Sequence, residues 1–283
     1  MATAFDPAWL AMREPFDEAA LERGVIASLR AWAGRPRPDS SLPIRVVDLG
    51  SGTGVALRRA ARWLAPRSID AYAVDTDPAL LAAASTSETS RTVTPILADV
   101  LAPLAPLGGP EDGSVDLVLG HALADLLPLD RLAQRTAALL RPRGLAHLAL
   151  TYDGETAFEP IEDPALEAHV IAAYHRHMDR PRAADPTYGG SLAGLRLANA
   201  LEAAGLEIVR AGPAVWDTRQ TDQAIARPLL DRMIRFVVES LLELGEPPEG
   251  EVRGWETSRR ALLDGDRLGL RVRHLDLLAR RPA

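Results

Sequence analysis

Nine residues constrain this chain more than any others: Val46-Val-Asp-Leu-Gly-Ser-Gly-Thr-Gly, at 46–54. A short β-branched apolar run from Ile44 ends in them, which suits a buried parallel strand. Three glycines at alternate positions let the backbone turn sharply from that strand into a helix, and they leave bare main chain for a ligand to lie against. The same beat then repeats. A helix over 53–65 is followed by a strand from Ile69 to Asp75 and a helix from Pro78 to Ser85, with Asp77 as its N-cap and Pro78 in its first position. Strands at 93–98 and 114–120, a helix at 129–140 and a strand at 145–152 continue it. Strands alternating with helices at this spacing require a doubly wound α/β sheet with right-handed crossovers.

On either side of this rhythm the pattern changes. Residues 8–34 read as one helix broken only by Pro15, and Gly34 to Ser41 as a Pro- and Ser-rich linker. Beyond 153, residues 154–190 read as helical and polar, 192–204 as a helix closed by Gly205, and 206–215 as a strand. Apolar helices at 228–244 and 255–263 precede a long last strand at 268–279. The expected fold is therefore α/β: a doubly wound, seven-stranded, mostly parallel sheet. Residues 1–40 form an N-terminal helical lid and linker and 41–152 the core. Helical insertions over the active site and the final strands make up 153–283, in the same domain.

Composition narrows the chemistry. The chain has 283 residues, a net charge of −7 and no cysteine, which excludes disulfides, zinc ribbons, iron–sulfur clusters and thiol nucleophiles. All 32 basic residues are arginine, so no lysine Schiff base and no P-loop is available. Abundant Arg and Ala fit the codon bias of a GC-rich, bacterial genome. An acidic chain without a basic stripe argues against nucleic-acid partners. No apolar run approaches the roughly 20 residues of a membrane span, and no leader precedes the first helix, so no membrane partner and a cytoplasmic location are expected.

The glycine spacing is not that of a dinucleotide fingerprint, Gly-x-Gly-x-x-Gly, because the sixth position from Gly50 is Val55. Instead Asp48 stands two residues before the first glycine, where it would repel a pyrophosphate and suit an ammonium group. On these residues the sequence resembles the class I S-adenosylmethionine-dependent methyltransferases, with a Rossmann-like core, over 44–152 and loosely over the last strand. Two further acids carry the resemblance. Asp75 ends the second strand, 23 residues past Gly52, and Asp99 follows the third in Pro95-Ile-Leu-Ala-Asp-Val. The resemblance implies that Asp75 accepts both ribose hydroxyls of the donor, that Asp99 reaches the adenine amino group and that Val100 packs on the ring. It implies a donor site completed by Asp48, Gly50, Ser51, Gly52, Gly54, Thr76, His121 and Arg13, with S-adenosylmethionine as cofactor and S-adenosylhomocysteine as product.

Methyl transfer from a sulfonium is an in-line displacement, so the protein must chiefly align the reactants in a dry pocket. A base is needed only for an acceptor that still holds its proton. His121, at the end of the fourth strand, either acts as that base or shapes the donor pocket. Asp125 either orients His121, grips an acceptor ammonium, or is a surface acid. The cluster His169, Tyr174, His175, His177 and Asp179 falls where this family usually builds its acceptor site. His175 is the further catalytic candidate, and Tyr174 and His177 are acceptor candidates. His175 and His177 point apart on a helix, so no metal is expected. The N-terminal helix, with Trp9, Met12, Arg13, Phe16 and Asp17, either lids the donor pocket, where Arg13 can meet a carboxylate bidentately, or only packs on the sheet. Trp216 and Arg219, after the sixth strand, are the remaining substrate candidates.

The expected function is methyl transfer to O or N of a small molecule, in natural-product or secondary metabolism, by a monomer or homodimer. Two alternatives stay open: a cyclase or decarboxylase using the same bound sulfonium, and a non-catalytic sensor of donor or product.

Overall fold

The computed structural model describes residues 6–35, 42–85 and 93–283. The chain opens with helices α1 (Pro7–Ala20) and α2 (Arg23–Ala33), followed by β1 (Ile44–Leu49), α3 (Val55–Leu64), β2 (Ile69–Asp75), α4 (Pro78–Ser85) and β3 (Val93–Leu97). It continues through β4 (Val115–His121), α5 (Leu129–Leu139), β5 (Leu140–Glu159), α6 (Pro164–Met178), α7 (Arg180–Ala184) and α8 (Ala193–Ala203). The last elements are β6 (Glu207–Asp217), α9 (Gln223–Leu244), α10 (Glu249–Asp264) and β7 (Gly269–Arg280).

Among the described residues one seven-stranded sheet runs β3-β2-β1-β4-β5-β7-β6, with β7 antiparallel to both of its neighbours. β1 pairs in parallel with β2 on one side and β4 on the other, so the strand order reverses between β1 and β4. A reversal of that kind opens a crevice beyond the carboxyl ends of the strands, where ligands of open α/β sheets bind. The inner strands are apolar on both faces because helices cover both. Ile44 and Val46 of β1 face a core shared with α1, α2, α3, α9 and α10, while Val47 and Leu49 face one shared with α5 and α8.

Several boundaries differ from the sequence reading. Residues 8–34 form two helices, and the break falls at Leu21-Glu22 rather than at Pro15. Pro15 is exposed, and so is Ala11, whose carbonyl loses the helical bond on the solvent side, and the helix passes through. The linker expected up to Ser41 lies outside the described residues beyond Arg35. β5 spans 140–159, so 154–159 is strand and not helix, held by its long antiparallel ladder with β7. Pro228 sits inside α9, which starts five residues earlier, where Asp222 accepts from the Ala224 amide. α10 begins at Glu249, ahead of the expected Trp255.

Candidate active site

At the β1–β4 crevice a cavity of about 590 Å³ opens beneath α1. Its floor is the glycine turn. Gly50 and Gly52 hold φ of 66° and 52°, left-handed values that side chains resist. A Cβ on Gly50 would stand 2.7 Å from Leu123 Cδ1, and one on Gly52 3.2 Å from Leu10 Cδ1. The glycines thus keep open the space between the turn, α1 and the segment after β4.

Of the residues the sequence assigned to the donor, Asp48, Gly50, Ser51, Gly52, Asp75, Thr76, Asp99, Val100, His121 and Arg13 all line this cavity. Gly54 does not; it caps α3 at φ 77°. Three carboxylates therefore converge at the ends of three successive strands. Asp48 is 1% exposed, and neither of its oxygens meets a hydrogen-bond partner among the described residues; the Ser51 hydroxyl beside it is also unpartnered. Burial pushes the Asp48 carboxyl up to about 7, against the pull of nearby Ser51 and with the help of the Asp75 charge. Asp75 accepts from the Gly52 amide at 2.9 Å and the Asp77 amide at 3.0 Å, which ties the glycine turn to β2. Each of its oxygens keeps a second lone pair for a ligand hydroxyl. Asp99 accepts from the Leu101 amide at 2.8 Å, and Val100 is buried beside it.

α1 supplies Leu10, Arg13, Glu14 and Asp17 to the cavity wall. Arg13 and Asp17 form a two-bond ion pair, at 3.0 and 3.2 Å, with both side chains only 10% exposed. The guanidinium lies 5.3 Å from the Trp216 ring and 5.9 Å from the Trp9 ring, and Trp216 Nε1 donates to Asp17 at 3.1 Å. Trp216 therefore helps hold α1 against the sheet without lining the cavity.

His121 turns its Nε2 toward Nδ1 of His147, at 3.2 Å, and Trp63 packs against both rings. Burial, then the neighbouring His147 and Arg59, holds His121 well below the usual histidine range. His147 falls to about 3 through burial and the Arg59 charge. Both imidazoles are neutral at pH 7. His147 escaped the sequence reading, although it interrupts the otherwise apolar run Leu145-Ala-His-Leu-Ala-Leu. Arg59, Tyr152 and His274 were missed as well.

The expected acceptor cluster splits in two. Tyr174 and His175 turn inward toward β5, where the Tyr152 hydroxyl meets His175 Nε2 at 2.7 Å and the Thr156 hydroxyl at 2.9 Å. Burial and the nearby Asp125 charge push the Tyr174 phenol up to about 12. Burial likewise raises Asp125, while Arg13 opposes the shift. Asp125 stands in the short turn after β4, behind the cavity-lining Leu123, Leu126 and Leu127. His177 and His169 face outward, within 3.3 Å of Glu243 and Glu251 respectively, and neither lines the cavity. Asp179 accepts from the Ser191 amide and hydroxyl. Arg219 is committed to Asp217 and Glu159 on the surface and does not reach the cavity. Among the described residues no group of three or more metal-ligating side chains stands together. None of the helices there is long and apolar enough to cross a membrane.

Residues 46–144 match the family model of a methyltransferase domain. A solved structure from Bacillus halodurans, described as a methyltransferase, is 16% identical and superposes over 91% of this chain and 99% of its own, with a TM-score of 0.53. The YcgJ protein of Bacillus subtilis is 15% identical over 93% of this chain and 100% of its own, with a TM-score of 0.50. No curated protein matches the chain. Residues 46–144 thus match a methyltransferase-domain model, and the chain has the class I methyltransferase fold.

Proposed function

We propose that the chain transfers a methyl group from S-adenosylmethionine to an oxygen or nitrogen of a small molecule. The observation that carries this reading is the set of Asp48, Asp75 and Asp99 around the glycine turn, in a cavity that α1 covers. The unpartnered Asp48 oxygens and Ser51 hydroxyl suit the ammonium of an amino acid moiety. Asp75 would take the ribose hydroxyls, Asp99 the adenine amino group, and Val100 the face of the ring. Arg13 presents a fixed guanidinium for a carboxylate. The donor supplies a methyl carbon on a positive sulfur that leaves as a neutral thioether.

The chain's own work is then alignment and exclusion of water, which can contribute on the order of 7–11 kcal/mol. α1, tethered through Asp17 and Trp216, closes the cavity from above. Asp125, Tyr174 and the Tyr152–His175 pair lie outside the cavity lining, and they would bear on the acceptor only from behind that wall. Neutral His121, at the end of β4, can take a proton from an acceptor that still carries one. We further propose that residues 41–152 hold the donor, while α1 and the insertions after β5 enclose the acceptor.

Calorimetric titration with S-adenosylmethionine, S-adenosylhomocysteine and NADH tests the reading. Micromolar binding of the first two and none of the third supports it and leads to a mass-spectrometric screen for acceptors that gain one methyl. Failure to bind either sulfur nucleoside overturns it. Asp75→Ala should weaken both by tenfold or more, because hydrogen bonds to a charged acceptor contribute about 1.5–3 kcal/mol each.

A further inference from the structure

The wall of the donor cavity contains a buried cation, Arg59, on the second turn of α3. The residue is 2% exposed. Two of its nitrogens are committed to α1: Nε donates to Glu18 Oε2 at 2.6 Å, and Nη2 to the Glu14 carbonyl at 3.3 Å. Nη1 makes no hydrogen bond among the described residues. Glu18 is half-exposed and also meets Arg62 at 3.0 Å, so water and a second cation share its charge. The positive charge of Arg59 is thus left poorly balanced inside the cavity, where it bears on Asp48, His121 and His147 alike.

Arg13, the other guanidinium of the cavity wall, is differently placed. Its Nε and Nη2 meet the two oxygens of Asp17, and both side chains are nearly buried. A pair of this kind uses the edge with which a guanidinium grips a carboxylate. A second carboxylate brought to that edge would also face the Asp17 charge at close range.

Asp48 is the complement of Arg59. Both its oxygens are buried without a partner, and it forms no ion pair with Arg59 among the described residues, although the Arg59 charge acts on it. A buried anion and a buried cation therefore stand in one cavity without meeting. Charges held out of water are costly unless they are paired and hydrogen-bonded. An amino acid head carries an ammonium and a carboxylate on a single carbon, and it would complete both groups at once.

We propose that Arg59 is the residue that selects the amino acid moiety of the donor, its Nη1 edge taking the carboxylate while Asp48 takes the ammonium. This rests on the reading of the cavity as a donor site and deepens it. The same guanidinium holds α1 through Glu14 and Glu18, so the donor's carboxylate meets the residue that fastens this helix over the cavity.

The test is calorimetry at pH 8 with two ligands that differ by one charged group: S-adenosylhomocysteine and its decarboxylated analogue, 5′-S-(3-aminopropyl)-5′-thioadenosine. Wild type should prefer the first by about tenfold or more, as the loss of a charged hydrogen-bonded contact implies. Arg59→Gln should abolish that preference by weakening S-adenosylhomocysteine alone. Unchanged binding of the analogue then shows that the cavity is intact, which a merely structural role for Arg59 would not give. Arg59→Lys should retain part of the preference. Arg13→Gln should weaken the two ligands alike and keep the preference, so the wild type and this variant test the proposal even where Arg59→Gln does not fold. Equal affinity of wild type for the two ligands, equal weakening of both by Arg59→Gln, or loss of the preference in Arg13→Gln would each overturn the assignment. Failure of wild type to bind S-adenosylhomocysteine at all would instead overturn the donor reading, and this proposal with it.

Discussion

Burial gives Asp48 two roles that oppose each other. Its folded pKa of about 7 lies above the ordinary carboxylate value of 3.8. A raised acid contributes its stability fully below the unfolded pKa and loses it as pH rises through the folded one. The loss therefore runs from about pH 4 to about pH 7, at about 1.4 kcal/mol for each pKa unit of separation. Asp48→Asn stays neutral throughout and keeps the shape. It should match wild type near pH 4 and exceed it by a few kcal/mol at pH 8 in urea unfolding. The same substitution should weaken S-adenosylmethionine binding at pH 8. Equal stabilities at both pH values would show that Asp48 is not desolvated as the fold implies. Strain of this sort belongs where a ligand completes the environment, and the unpartnered Ser51 hydroxyl beside Asp48 points the same way.

At the scale of elements, α1 is joined to the sheet by a charged contact rather than by apolar packing alone. Asp17 receives Arg13 from its own helix and Trp216 from β6. Removing one member of a buried pair leaves the other charge uncompensated, which typically costs 3–5 kcal/mol, whereas replacing both by apolar groups costs far less. Asp17→Leu should therefore be strongly destabilising, and Arg13→Met/Asp17→Leu should recover most of the loss in chemical denaturation. Both should bind S-adenosylhomocysteine more weakly than wild type, because each removes a wall residue of the cavity. If the double variant were as unstable as the single, packing and not the buried charge would dominate. This contact was invisible in the sequence. Arg13 and Asp17 stand four apart and can be paired by helical periodicity, but nothing local ties them to Trp216, 199 residues away. The core was legible for the opposite reason. Asp77 caps α4, alternate glycines turn β1 into α3, and β-branched runs mark the inner strands, all within a few residues of chain. β5 was misread beyond Tyr152 because its ladder is made with β7, more than a hundred residues later. The cluster at 169–179 divides between two faces of its helix, which the sequence does not show because it gives the spacing but not which neighbour each face meets; Glu243 and Glu251 take two of its histidines.

Over the whole molecule these buried groups set two opposing pH dependences. His121, His147 and His274 are held below the ordinary histidine value, the last two at about 3, so they stay neutral when folded and bind protons only when unfolded. Lowered histidines contribute stability above about pH 6.5 and lose it as the solution becomes more acidic. Asp48, Asp125 and Asp276 are raised, Asp276 to about 6, and act in the reverse direction over the same interval. His175 is lowered as well, so four histidines oppose three acids, and stability should fall as pH drops from about 6.5 toward 4.5, less steeply than the histidines alone would make it. Donor binding adds its own pH dependence. An ammonium set against Asp48 favours the carboxylate and lowers its pKa in the complex, so binding below pH 7 must expel a proton. Affinity for S-adenosylmethionine should accordingly rise with pH up to about 7 and then level off. Calorimetry in two buffers of different ionisation enthalpy should record close to one proton released at pH 6 and about a quarter of one at pH 7.5. Asp48→Asn should abolish the release while retaining the contacts of Asp75 and Asp99. A wild-type chain that binds the donor at pH 6 without releasing a proton would place the ammonium away from Asp48, and the acid two residues before the glycine turn would then need another partner.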